Sequence, residues 1–176
     1  MKRAPRVRKR RVPAAVVAVS DDRAARELRA LQDLRAVVGS ARRHDSRIRS
    51  ATGIAGSQLW ALAEIAGDAG ITVNALARRL AVHQTTASNL VNALVLRGLV
   101  RRIRDRRDQR MVHLDVTDAG AQLLSRAPQP YSGPLLDAMR RITADDLDAL
   151  AHSLVTLLAA MRHAAPVSAG ELLLGD

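Results

Sequence analysis

Apolar residues recur every three or four positions between about 21 and 49, with Leu28, Leu31, Leu34, Val38 and Ala41 on one stripe and charges between them. This spacing predicts one long helix, and Asp21 and Asp22 suit its N-terminus, where the backbone dipole favours anions. Thr52 and Gly53 break the period, which restarts over 57–66 with Leu59, Trp60, Leu62, Ala63 and Ile65. Gly67 and Gly70 close that second helix, 71–73 is a short β-prone piece, and Asn74 is the expected N-cap of a third helix over 75–80. A fourth helix follows a tight turn and spans 84 to about 97, stopped by Gly98. The pattern then changes to two strands, 99–104 and 110–116, separated by a charged tip, which predicts a β-hairpin. Thr117 caps a helix over 118–127, and Pro128, Pro130, Gly133 and Pro134 prevent it from running on. Thr143, with Asp145 and Asp146, opens a last helix whose Leu147, Leu150, Ala151, Leu154, Leu157, Leu158 and Met161 form a continuous apolar strip.

The fourth helix carries two stripes. Ala87, Leu90, Val91 and Leu94 have the spacing of a core-facing side. Thr85, Ser88, Asn89 and Asn92 have the same spacing on the other side and are polar but uncharged. An idle solvated face is usually built from Glu, Lys and Arg, which favour helix; Thr, Ser and Asn do not. Their amides and hydroxyls are the groups that hydrogen-bond base edges.

Charge sharpens that reading. The 176 residues carry a net +11, nearly all of the positive side arginine. The excess is concentrated in residues 1–20, with seven cations and no carboxylate, and in 74–116, with nine arginines against three aspartates. A basic block of this kind beside a polar helix face is the footprint of a nucleic-acid binder. With no Phe and one Trp, the core must be aliphatic, which suits helix-on-helix packing. The absence of cysteine excludes disulfides and thiolate-held metals. The five histidines are scattered without ligand spacing, so neither metal nor cofactor is expected, and no hydrolase, phosphate-loop or dinucleotide motif suggests an enzyme. No apolar run reaches membrane-helix length. The basic start followed by 12–19 has the outline of a signal peptide, but the apolar stretch is short and contains Pro13, so a flexible basic tail and a cytoplasmic, nucleoid-associated protein are expected.

Helix, tight turn, helix and hairpin make a winged helix-turn-helix, in which the second helix enters the major groove and the wing reaches the minor groove. The chain resembles the MarR family of bacterial transcriptional regulators in the residues from Ile71 to Leu80, Thr85 to Asn92, Arg97 to Arg102, Asp105 to Arg110 and Leu114 to Gly120, and in Gln58. The fold class expected is mainly α with a small β-hairpin wing, a winged helix-turn-helix core flanked by long dimerisation helices. The divisions are a basic tail over 1–20, an N-terminal dimerisation helix over 21–52, a DNA-binding domain over 53–120, C-terminal dimerisation helices over 121–165 and a tail over 166–176.

The resemblance implies a homodimer that binds double-stranded DNA, most simply as a repressor of transcription. His83, Gln84, Thr85, Thr86, Ser88, Asn89 and Asn92 are the candidates for the major groove, and Arg78, Arg79, Arg101 and Arg102 for phosphates. Arg104, Arg106, Arg107 and Arg110 are the wing candidates; by family pattern Arg110 enters the minor groove and Asp108 orients it. The family often carries Asp, Arg and Lys where this helix has Asn92, Ala93 and Leu96. Family members are often released from DNA by small ligands, for which Arg43, His44, Arg47 and Trp60 are the candidates here. From a different class, a nucleoid-type architectural protein that uses tail and wings without sequence preference would share the same charge pattern.

Overall fold

A computed structural model describes residues 14–104 and 112–164, with side chains given over 22–104 and 112–162. Residues 1–13, the wing tip 105–111 with Arg106, Arg107, Asp108 and Arg110, and the C-terminal tail lie outside the described residues. The first helix, α1, runs Ala14–Thr52 and so begins ahead of the Asp21 and Asp22 expected to open it, inside the segment read as tail. Ala14, Ala15 and Ala18 are strong helix formers, and nothing between them and Asp21 interrupts the hydrogen-bond ladder. Gly53, at φ +74, ends α1 by donating its N–H to Arg49 O at 2.8 Å.

The second helix, α2, is Gly56–Gly67, with Ala55 at its N-cap. Alanine has no acceptor to offer there, and Asp45 of α1 supplies one in its place, with Oδ1 accepting the Gly56 N–H at 2.6 Å. Gln58 Oε1 accepts the Ala55 N–H at 3.2 Å. One carboxylate thus caps α2 and fixes it against α1.

The third and fourth helices, α3 (Val73–Arg79) and α4 (Gln84–Leu96), form the tight pair. The cap of α3 is Thr72, whose Oγ1 accepts the Ala75 N–H at 3.3 Å, and not Asn74 as the sequence suggested. A tertiary contact selects it. Gly70 N–H donates to Leu114 O at 3.0 Å, Leu114 N–H donates to Ile71 O at 2.9 Å, and Thr72 bridges His113, so the extended chain ends at Thr72 and the helix starts next.

The wing is β1 (Val100–Arg104) paired antiparallel with β2 (Val112–Val116), with Val100 opposite Val116, Arg101 opposite Asp115 and Arg102 opposite Leu114. Helix α5, Asp118–Arg126, follows with Thr117 as its cap, then α6 (Gly133–Met139) and α7 (Ala144–Ala164), which Thr143 caps by accepting the Asp146 N–H at 3.2 Å. Leu59, Leu62 and Ile65 of α2 meet Leu76, Val91, Leu94 and Leu114 in one aliphatic core, into which Ile48 anchors the end of α1. By contrast Leu28, Leu31 and Leu34 of α1 and the apolar strip of α7 are exposed in the single chain.

Candidate nucleic-acid interface

Helix α4 buries one side and offers the other. Ala87, Val91 and Leu94 are buried in the core. Gln84, Thr85, Asn89 and Asn92 are exposed, and Thr86 and Ser88 half-buried, so the polar stripe read from the sequence is open along α4. His83 stands at the N-cap with an exposed ring and no side-chain hydrogen bond to the helix. The stripe continues one turn past Asn92 into Leu96, which is 88% exposed. Leu96 stands where a cation is common in the family; a large apolar side chain left in water on this face suits contact with thymine methyls in a groove. Arg97, next along, donates from Nη1 to Gly53 O at 3.0 Å and ties the end of α4 to the α1–α2 turn.

The arginines expected on phosphates, and Arg104 of the wing, have different surroundings. Arg79 Nη2 pairs with Asp68 at 2.7 Å, with Glu64 at 3.8 Å from Nη1, so α2 holds it. Arg101 donates to Asp115 Oδ2, the residue opposite it in the ladder, at 2.5 Å from Nη2 and 3.0 Å from Nε. Arg102 points to the other face of the strand and donates to Asn92 Oδ1 at 2.5 Å. Arg78 and Arg104 are exposed and have no ion pair among the described residues. Two of the four arginines expected on phosphates therefore already have a carboxylate, which sequence counting could not reveal.

Residues 52–111 match the family model described as the MarR family. The match covers the winged-helix segment, which is similar to the MarR family. Solved structures share the fold over most of the chain. The transcriptional regulator BldR from Sulfolobus solfataricus is 23% identical, with 77% of this chain and 96% of that one covered and a TM-score of 0.51. The S. aureus MepR–DNA complex is 19% identical over 75% of this chain and 96% of that one, TM-score 0.52. A MepR-like protein complexed with pseudoligands is 18% identical over 75% and 94%, TM-score 0.53. A comparison with curated proteins finds no match.

Around this segment, neither of the two clefts described below is lined by any of the four residues considered for a ligand. Arg43 and Arg47 are exposed on α1, and Trp60 is half-buried and donates from Nε1 to Glu64 Oε1 at 3.0 Å. His44 is buried on α1 facing Gly133 at the start of α6, and its Nε2 has no hydrogen-bond partner among the described residues. Burial, and then the charge of Arg47, hold the His44 pKa below the ordinary histidine value, with Asp45 opposing them. Burial would raise the pKa of Asp45, but the hydrogen bonds from Arg49 and from Gly56 N–H outweigh it and keep the carboxyl below its usual range. A cleft of about 510 Å³ lies instead between α2, the end of β2 and α5, lined by Ala63, Ile65, Ala66, Asp115, Leu124 and Tyr131 among others. A second, of about 420 Å³, lies on α1 along Leu31, Leu34, Val38 and Arg42. Among the described residues no group of three or more His, Asp or Glu could hold a metal ion, and no helix is long and apolar enough to cross a membrane.

Proposed function

We propose that this protein is a homodimeric, sequence-specific repressor that reads a pseudo-palindromic operator in double-stranded DNA. The observation that carries the reading is the open face of α4: Thr85, Ser88, Asn89 and Asn92 stand outward beside a strand bearing Arg102 and Arg104. Two such helices in successive major grooves would read half-sites roughly one helical turn apart. Bases would be met by Gln84, Thr85, Ser88 and Asn89, phosphates by Arg78 and Arg104, and the minor groove by the wing tip, where Arg110 oriented by Asp108 has the chemistry favoured in that narrow, electronegative space. A protein so placed on a promoter blocks RNA polymerase.

Two exposed apolar faces support the dimer. Along α7, Leu150, Leu154, Leu158 and Met161 are exposed, and Leu28, Leu31 and Leu34 of α1 likewise. Taking such a side chain from full exposure to burial is worth about 1.5–3 kcal/mol, and these are between 36% and 61% exposed, so covering them gains a part of that for each residue, which a second copy would supply. A small-molecule effector has a place in the cleft between α2, β2 and α5. An occupant there meets Asp115, the partner of Arg101, and so touches the wing directly.

The test is enrichment of random duplexes by the purified full chain, followed by titration of an enriched and a scrambled duplex at fixed salt. An inverted repeat bound at least about a thousandfold more tightly than the scrambled duplex supports the reading. A ratio near one gives the protein to the architectural class.

A further inference from the structure

Asparagine reads adenine with both ends of its amide at once, Oδ1 accepting from N6 and Nδ2 donating to N7. Asn92 sits on the open face of α4, yet its oxygen is already engaged: Nη2 of Arg102 lies 2.5 Å from Oδ1. Amide oxygen and nitrogen are ordinarily interchangeable in a structure. Here the chemistry settles which is which, because a guanidinium has only donors and must face the oxygen. The NH₂ group is therefore the outward end.

We propose that Arg102 acts as a positioning residue that turns Asn92 from an adenine-reading amide into a pure donor, and that Asn92 consequently selects guanine. Guanine presents two acceptors, N7 and O6, on its major-groove edge, which match the NH₂ donors. Oδ1 keeps a second lone pair, but an adenine N6–H approaching it would meet guanidinium N–H groups of the same polarity. The contact is also held in place from behind. Alternation along β1 sends Arg101 to Asp115 and Arg102 to α4, and Leu114, opposite Arg102, is fastened on both backbone groups by Gly70 and Ile71. The inference rests on the DNA reading above and adds to it a residue that sets base preference without touching the base.

The experiment is selection from random duplexes with the full-length parent, Asn92→Ala, Arg102→Met and Arg102→Lys, with melting curves for each. The position whose selectivity disappears in Asn92→Ala is the one Asn92 reads. The parent is expected to select guanine there, and 7-deazaguanine, which lacks the N7 acceptor, to weaken parent binding about tenfold while leaving Asn92→Ala unaffected. Arg102→Lys retains a donor and should keep guanine; Arg102→Met should move the preference to adenine without changing the melting temperature, an outcome that a merely structural arginine does not give. Selection of adenine by the parent, guanine retained by Arg102→Met, or no position lost in Asn92→Ala overturns the inference and leaves the DNA reading standing. Failure of every protein to enrich any duplex overturns both.

Discussion

Gly120→Ala sets two opposed effects against each other. Gly120 lies in the first turn of α5, where alanine favours helix over glycine by about 1 kcal/mol, so propensity alone makes the variant more stable. The packing says otherwise. A Cβ at this position would stand 2.3 Å from Leu99 O and 2.8 Å from Val116 Cγ1. Leu99 O cannot yield cheaply, because it accepts the Thr117 N–H at 3.1 Å, and Thr117 Oγ1 in turn accepts the Gly120 N–H at 3.2 Å. The first turn of α5 must lift away from β1, weakening a backbone hydrogen bond and a helix cap, each about 1 kcal/mol. Overpacking strain of about 1–3 kcal/mol adds to this. After subtracting the propensity gain, the net destabilisation is about 2–4 kcal/mol, or a fall in Tm on the order of 4–16 °C for a chain of this size. The assay is thermal melting of parent and variant at matched protein concentration, since association makes Tm concentration-dependent. A variant as stable as the parent, or more so, refutes the reasoning and shows that α5 can move off the wing freely.

Arg78→Ala should weaken binding about equally on all sequences and reduce the slope of log K against log salt by about 1 per protomer, because Arg78 is an exposed cation with no ion pair among the described residues, whereas Arg79→Ala, which removes a cation already paired with Asp68, should change the slope less; anisotropy titrations over a salt series measure both. Asp45→Asn should lower stability by about 1 kcal/mol at neutral pH through the weakened bonds from Arg49 and Gly56 N–H. Because the fold lowers the Asp45 pKa, this contribution is fully present above the ordinary carboxylate pKa of about 3.9 and is lost as pH falls through the lower folded value, so parent and variant should converge in acid melts. His44→Leu forfeits no hydrogen bond at the unpartnered Nε2 and should be neutral or stabilising at pH 7.5. The fold disfavours the His44 cation, so parent stability should decline as pH drops below about 6.5 while the leucine variant holds; identical pH profiles from pH 8 to 5 would remove His44 from the account.

What the sequence made legible is what depends on local periodicity. Ala87, Val91 and Leu94 fall on one side of α4 and Thr85, Asn89 and Asn92 on the other because a 3.6-residue repeat admits no other arrangement. The hairpin was legible for the same reason, and so was the Thr117 cap. The errors occurred where neighbouring residues had equal local claims. Thr72 and Asn74 are both good caps, and the choice between them was made by a backbone pairing with Leu114 about forty positions away. At the start of α1 the acidic pair Asp21 and Asp22 had the look of a first turn, but a dipole worth at most about 1 kcal/mol does not stop alanines upstream from continuing the helix.

Charge shows the same boundary between local and tertiary information at the site itself. A count of arginines over 74–116 measures the field around the wing but does not say which cations are free to meet a phosphate. Arg79 is taken by Asp68 and Glu64 from α2, and Arg101 by Asp115 from the facing strand, whereas Arg78, with a sequence context no different in kind, is open. The second of these pairs depends on the hairpin register, which places Asp115 directly opposite Arg101, where opposite charges attract. The first requires knowing that the end of α2 lies against α3. Arg102 differs from both. Its partner is the amide of Asn92 on the open side of α4, so the same residue type at adjacent positions of one strand meets a carboxylate in one case and an amide in the other, and the pleat of the strand decides which.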